Sequence, residues 1–244
     1  MERAATGIKG LDKLVGGGLP RNQSVLLTGS CGTGKTILSL QFLYNGALNK
    51  EPGIYITFEE SRDKIVRQAK EFGWDLEKLE RDRLLEIYAV ESTDIEDVLG
   101  RIREKTVKLK AKRLVIDSLT IMLEHGVIYR SRISKEMSSV NKEKAAIKFP
   151  EEGHEITRKD IYFLIKEINK LNTTSLLISE VGEKSDYLSR DTISEFACDG
   201  VIMLKTSELG GEIERLLSVR KMRGTEIQIT LSPMRFTKEG IVIE

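Results

Sequence analysis

The run Gly29-Ser30-Cys31-Gly32-Thr33-Gly34-Lys35-Thr36 constrains this chain more than any other segment. It satisfies G-x-x-x-x-G-K-[ST], a phosphate-binding loop that must follow a strand and open a helix. Gly29, Gly32 and Gly34 allow backbone angles that wrap successive N–H groups around an anion. The helix that follows turns its positive end toward the same oxygens. Lys35 can reach the β- and γ-phosphates of a nucleoside triphosphate, and the Thr36 hydroxyl can ligate Mg²⁺. Ser30, Cys31 and Thr33 complete the loop, with Cys31 read as filler rather than as a nucleophile. The flanks agree with the motif: Ser24 to Thr28 reads as a buried strand, and Ile37 to Ala47 as a helix with Leu38, Phe42 and Leu43 on one side.

Strand and helix signals alternate after the loop. Ile54 to Phe58 is apolar and β-branched, and Ser61 stands where it can cap a helix bearing Ile65, Val66, Ala69 and Phe72. Leu84 to Val90 gives a third strand. Asp94 to Lys110 is a periodic helix with Ile95, Val98, Leu99, Ile102 and Leu109 on one face. Leu114 to Asp117, a helix over Ile161 to Leu171 and a strand over Ser175 to Ser179 complete the rhythm. The pattern predicts an α/β fold with a mainly parallel twisted sheet and helices on both faces. Val201 to Lys205, Arg215 to Met222, Glu226 to Leu231 and Ile241 to Ile243 read as successive strands that extend the sheet antiparallel. No Pro/Gly/Ser-rich linker divides the 244 residues, so one domain over 1–244 is expected. The charged segment 131–157 breaks the rhythm and reads as an insertion, a short helix through Ile133, Met137 and Val140 and then a mobile loop.

Composition narrows the partners. The 39 basic and 38 acidic residues nearly cancel, which argues against a protein that coats a polyanion. No apolar run approaches the ~18 residues that cross a bilayer, and no signal peptide is visible. Cys31 and Cys198 form no ligand or disulfide spacing. A soluble, cytoplasmic protein without a membrane partner is expected.

Two further features carry chemistry. Asp117 ends an apolar strand, where a carboxylate can sit beside the Mg²⁺ of the loop. Glu59 and Glu60 end the strand after the loop's helix, where a carboxylate can orient or deprotonate an attacking water. Adjacent residues on a strand face opposite sides, so one acts and the other supports it.

With these residues on the page, the chain resembles the KaiC-like ATPases of the RecA/RadA superfamily. The resemblance runs through Thr6 to Leu14, Gly16 to Arg21, the phosphate loop, Thr57 to Glu60, Phe72 to Leu76 and Ile116 to Ser118. It resumes at Glu195-Phe196, Asp199 and Lys221 to Thr225. It implies a RecA-like core, assembled with copies of itself as a hexameric ring, with ATP and Mg²⁺ between subunits. It makes Glu59 the preferred catalytic carboxylate and gives Lys221 and Arg223 to the neighbour's γ-phosphate. The expected function is therefore that of a regulatory ring ATPase.

One such domain is expected here, where the clock members of that family have two. Glu195-Phe196 also stands where their second domain carries a phosphorylated Ser-Thr pair, so self-phosphorylation is not expected. Glu226, Ile227 and Gln228 differ as well, which leaves the base and ribose contacts open. The competing reading is a DNA-binding recombinase paralogue. For it speaks Arg101 to Arg113, where seven of thirteen residues are Lys or Arg. Against it, that run lies on an amphipathic helix whose charged face is normally solvated.

Overall fold

The computed structural model describes residues 1–129, 153–183, 185–209 and 212–244. The N-terminal part contains β1 (Arg3–Ala4), α1 (Leu11–Leu14), β2 (Leu19–Pro20), β3 (Ser24–Gly29) and α2 (Lys35–Leu48). Next come β4 (Gly53–Thr57), α3 (Arg62–Lys70), α4 (Leu76–Arg81), β5 (Leu85–Ala89) and α5 (Ile95–Leu109). The middle holds β6 (Arg113–Asp117), α6 (Leu119–His125), β7 (Val127–Tyr129) and β8 (Gly153–Glu155). The last part contains α7 (Arg158–Asn169), β9 (Thr174–Glu180), α8 (Ser194–Ala197) and the strands β10 (Gly200–Leu209), β11 (Glu212–Met222), β12 (Ser232–Thr237) and β13 (Gly240–Ile243).

A nine-stranded sheet in the order β13-β12-β11-β10-β3-β9-β6-β4-β5 organises the chain. From β10 to β5 every pair is parallel, and from β10 to β13 every pair is antiparallel. The phosphate-loop strand β3 is therefore central, with strands buried on both faces, as a parallel sheet requires. Residue alternation sorts the core into two layers. Val25, Leu27, Tyr55, Val115, Leu176 and Ile178 face α2, α3 and α4, while Leu26, Ile54, Ile56, Leu114, Ile116 and Leu177 face α5, α6 and α7. On α5, Ile95, Val98 and Ile102 are buried, each stabilising the fold by roughly 1.5–3 kcal/mol.

Three expectations are corrected. Glu226 to Leu231 is not a strand. Ile229 and Leu231 are exposed, and the ladder to β11 begins only at Ser232. The alternation of Ile227, Ile229 and Leu231 imitates a half-buried strand but joins no ladder among the described residues. Ser61 holds the first position before α3 but makes no capping hydrogen bond. Gly153–Glu155, read as loop, pairs antiparallel with Val127–Tyr129. Short elements without a long period, α4 and α6 among them, escaped the pattern altogether. The expected helix through Ile133, Met137 and Val140 lies outside the described residues.

Candidate active site

The site grows from the end of β3. Gly29 is required there by close approach, since a Cβ would stand 2.5 Å from the Leu204 carbonyl oxygen of β10. Gly34, at φ 103°, lies in the left-handed region, and a Cβ there would meet Phe236 at 2.7 Å. Thr33 Oγ1 donates to the Ser30 carbonyl at 2.9 Å and closes the loop on itself. The Lys35 ammonium, nearly buried, donates to the carbonyls of Gly29 at 3.1 Å and Ser30 at 2.9 Å. Cys31 is exposed and free.

The parallel neighbours of β3 bring the acids. Thr36 lies in the first turn of α2, and its hydroxyl donates to Asp117 Oδ2 at 2.9 Å, while the Tyr55 hydroxyl donates to the same oxygen. Burial pushes the Asp117 carboxyl up, opposed by the Tyr55 and Thr36 hydrogen bonds and the Lys35 charge. A divalent cation there would oppose burial in the same direction. The donors are all oxygens, which suits a hard cation such as Mg²⁺. Among the described residues no cluster of three or more His, Cys, Asp or Glu could hold a metal by itself. An ion held by Thr36 and Asp117 would need the phosphates as further ligands.

Glu59 and Glu60 do not end a strand as expected: β4 stops at Thr57, and both lie in the bend that follows, so strand alternation does not separate them. The Glu60 carboxylate accepts from Gln68 Nε2 at 3.0 Å and pairs with Lys64 at 2.6 Å, which ties it to α3. The Glu59 carboxyl is raised by burial first, then by the charges of Glu180, Asp117 and Glu60. Both line one cleft of about 410 Å³, together with Gly32, Gly34, Lys35, Thr36 and Asp117.

Lys221 and Arg223 are not brought to this cleft. β11 runs antiparallel to β10, so Met222 pairs with Gly200, which pairs with Val25 at the start of β3. The basic pair thus sits at the opposite end of the sheet from the phosphate loop. Lys221 donates to the carbonyls of Glu195, Phe196 and Cys198, and Arg223 pairs with Asp199 at 3.0 Å. Desolvation, then the Arg223 charge, lowers the Lys221 ammonium.

Four residues at the cleft or behind it escaped sequence reasoning: Glu180 and Phe236 line it, while Tyr55 and Arg215 touch it only through Asp117, Phe236 and the Gly32 carbonyl. Tyr55 lies in an apolar strand and gives no polar signal. Glu180 ends β9 beside Gly29, and its Oε1 stands 3.7 Å from Lys35 Nζ. Phe236 lies against the loop, and the Arg215 guanidinium sits 5.0 Å from its ring centre. Strand order would have found Glu180, since it is the residue that ends the strand paired to β3. No local signal marks the other three.

A phosphate loop on a central parallel strand, a strand-end aspartate hydrogen-bonded to its threonine, and carboxylates around one cleft define a P-loop nucleotide-binding protein of RecA-like fold. The family model described as KaiC ATPase matches residues 4–146 and 145–244. The chain belongs to that family. A circadian clock oscillator protein KaiC from a Prochlorococcus marinus strain is 33% identical over the whole chain, which spans 45% of that relative. The chain thus covers about half the length of its clock relatives. A UPF0273 protein of Methanopyrus kandleri is 31% identical over the whole chain and is itself covered to 92%. The crystal structure of a KaiC-like protein from the hyperthermophilic archaeon Pyrococcus horikoshii superposes with a TM-score of 0.80 at 32% identity, covering 100% of this chain and 99% of that one. Among the described residues no helix is long and apolar enough to cross a membrane. Family membership supports ATP-binding ATPase activity in general terms.

Proposed function

We propose that the chain binds ATP with Mg²⁺ and hydrolyses it, as a regulatory ring ATPase. The observation that carries this reading is the convergence of Lys35, Thr36, Asp117 and Glu59 on one cleft. In it, Gly29 to Thr36 would cradle the phosphates, and Lys35 would neutralise the β/γ oxygens. Thr36 and Asp117 would hold Mg²⁺, which supplies charge stabilisation at the transferring phosphoryl group. Glu59 orients the attacking water and takes its proton. Its raised carboxyl brings it nearer the operating pH of a base. Glu60, engaged by Gln68 and Lys64, ties the bend after β4 to α3 and so positions Glu59.

Lys221 and Arg223 then serve a neighbouring copy's γ-phosphate in a ring, hexameric by the family resemblance. Their distance from the chain's own loop supports this, as does the exposed Phe196 beside them. DNA binding is not favoured. Of the seven cations from Arg101 to Arg113, Arg101, Arg103, Lys105 and Arg113 are paired with Asp97, Glu167, Glu86 and Glu51. No observation marks a nucleic acid as partner.

Phosphate release from Mg·ATP tests the reading. Glu59→Gln is expected to retain ATP and lose turnover by roughly 10²-fold or more. Glu60→Gln is expected to lose less; the reverse order would reassign the base. Mixing Arg223→Ala with Lys35→Ala subunits is expected to restore part of the activity that each lacks alone. No recovery in demonstrably mixed rings would exclude the shared site.

A further inference from the structure

Glu180 stands beside the loop lysine without a part in the chemistry above. It ends β9 in register with Gly29. Its backbone amide donates to Thr120 Oγ1 at 2.9 Å, and Thr120 lies in the first turn of α6, just after Asp117 and Ser118. The next amide, that of Val181, donates at 3.3 Å to the Gly29 carbonyl, which also accepts from Lys35. The backbone is thus tied to both the phosphate loop and the helix after Asp117. The Glu180 side chain itself remains 43% exposed at the mouth of the cleft.

Lys35, by contrast, is only 6% exposed. A buried ammonium is costly unless an anion compensates it. The Gly29 and Ser30 carbonyls offer dipoles, not charge. Of the nearby acids, Asp117 is engaged by Thr36 and Tyr55, and Glu60 by Lys64 and Gln68. The carboxylate that pairs with Lys35 is that of Glu180, at 3.7 Å.

We propose that the Glu180 carboxylate is a resident counter-ion of Lys35 that the terminal phosphate of a bound nucleoside triphosphate displaces, so that Glu180 sets the preference between triphosphate and diphosphate. This rests on the ATP reading above. Two anions compete here for one ammonium. In a P-loop the backbone amides cradle the inner phosphates, and the lysine reaches outward to the γ-phosphate. The γ-phosphate must therefore enter where Glu59, Asp117 and Glu180 already converge. A displaced carboxylate stays close and repels it, because like charges a few ångströms apart in a partly buried cleft interact strongly. The diphosphate lacks that last group and meets less of this repulsion. Glu180 holds Lys35 in place before the nucleotide arrives and then holds triphosphate affinity down.

Calorimetry on the full chain with Mg²⁺ tests this, with ADP and β,γ-imido-ATP as probes. Glu180→Gln keeps the shape and removes the charge. It is expected to raise affinity for the triphosphate analogue relative to ADP about tenfold. Glu180→Asp keeps the charge and is expected to hold that ratio within about twofold of the parent chain. Both variants are expected to melt within a few degrees of the parent, because the side chain is nearly half exposed. An unmoved ratio in Glu180→Gln, or equal shifts in both variants, would overturn the role of Glu180 alone. A parent chain that binds neither probe would overturn the ATP reading and this proposal with it.

Discussion

At the start of α2 the Lys35 ammonium rests on two loop carbonyls, with its counter-charge 3.7 Å away across an open cleft. Under the far half of the same helix lies a second buried cation, Arg113, held quite differently. Its Nε donates to Glu51 Oε2 at 2.8 Å, Nη1 to the Phe42 carbonyl at 2.7 Å, and Nη2 to the Ala5 carbonyl at 2.8 Å and to Glu51. Its guanidinium also lies 4.5 Å from the Phe42 ring centre. The N-terminal segment, α2, the turn before β4 and the start of β6 meet at this one side chain. A guanidinium with its fork filled cements elements together. An ammonium with a loose partner is available to a ligand. Burial alone does not tell the two apart; the completeness of the partner set does.

The largest expected effect is at the cemented end. Arg113→Ala leaves Glu51 with Arg21 alone and strips two carbonyls of a donor. It is expected to cost about 3 kcal/mol or more of stability. For a chain of this length that lowers Tm by about 6–12 °C. Scanning calorimetry that found a wild-type melt would refute the structural role. Lys35→Ala comes next, in a different quantity. ATP affinity is expected to fall tenfold or more, on the order of 1.4 kcal/mol per decade, with Tm within a few degrees of the wild type. If both substitutions destabilised the fold alike, the contrast between the two cations would collapse.

The smallest effect concerns pH. Burial would raise the Glu51 carboxyl, but hydrogen bonds from Arg21 and Arg113 outweigh it and hold the group below its ordinary 4.5. A carboxyl lowered on folding contributes stability that is present above the unfolded value and lost as pH falls through the folded one. Glu51→Gln is therefore expected to cost about 1–2 kcal/mol at neutral pH. The gap to the wild type should close below pH 4.5, where the parent carboxyl protonates too. A gap that persisted at acid pH would assign the loss to packing rather than charge.

What the sequence showed of this molecule depended on range. The phosphate loop is eight consecutive residues, and Asp117 follows its own apolar strand, so both were visible locally. The periodic face of α5 was visible for the same reason. Glu180 was not, because its meaning comes from β9 lying beside β3, a neighbourhood set by tertiary order. Tyr55 looked like core until its hydroxyl met Asp117. The basic run from Arg101 looked like a charged patch, since its acidic partners Glu86 and Glu167 belong to other elements. Lys221 and Arg223 were grouped with the site only through the family resemblance. Within one chain they stay at the far end of the sheet.

Gly46 lies inside α2, where glycine is about 1 kcal/mol worse than alanine. Its absent side chain is where Arg113 passes, for a Cβ there would stand 2.4 Å from Arg113 Cδ and Nε. The helix gives up intrinsic propensity so that the guanidinium can reach its partners. The two positions are thus sterically coupled. A descendant lineage that first enlarged residue 46 would clash with the arginine, whereas one that first shortened residue 113 would open the space. The order of substitution therefore matters: a side chain at 46 fits only once the arginine has been shortened.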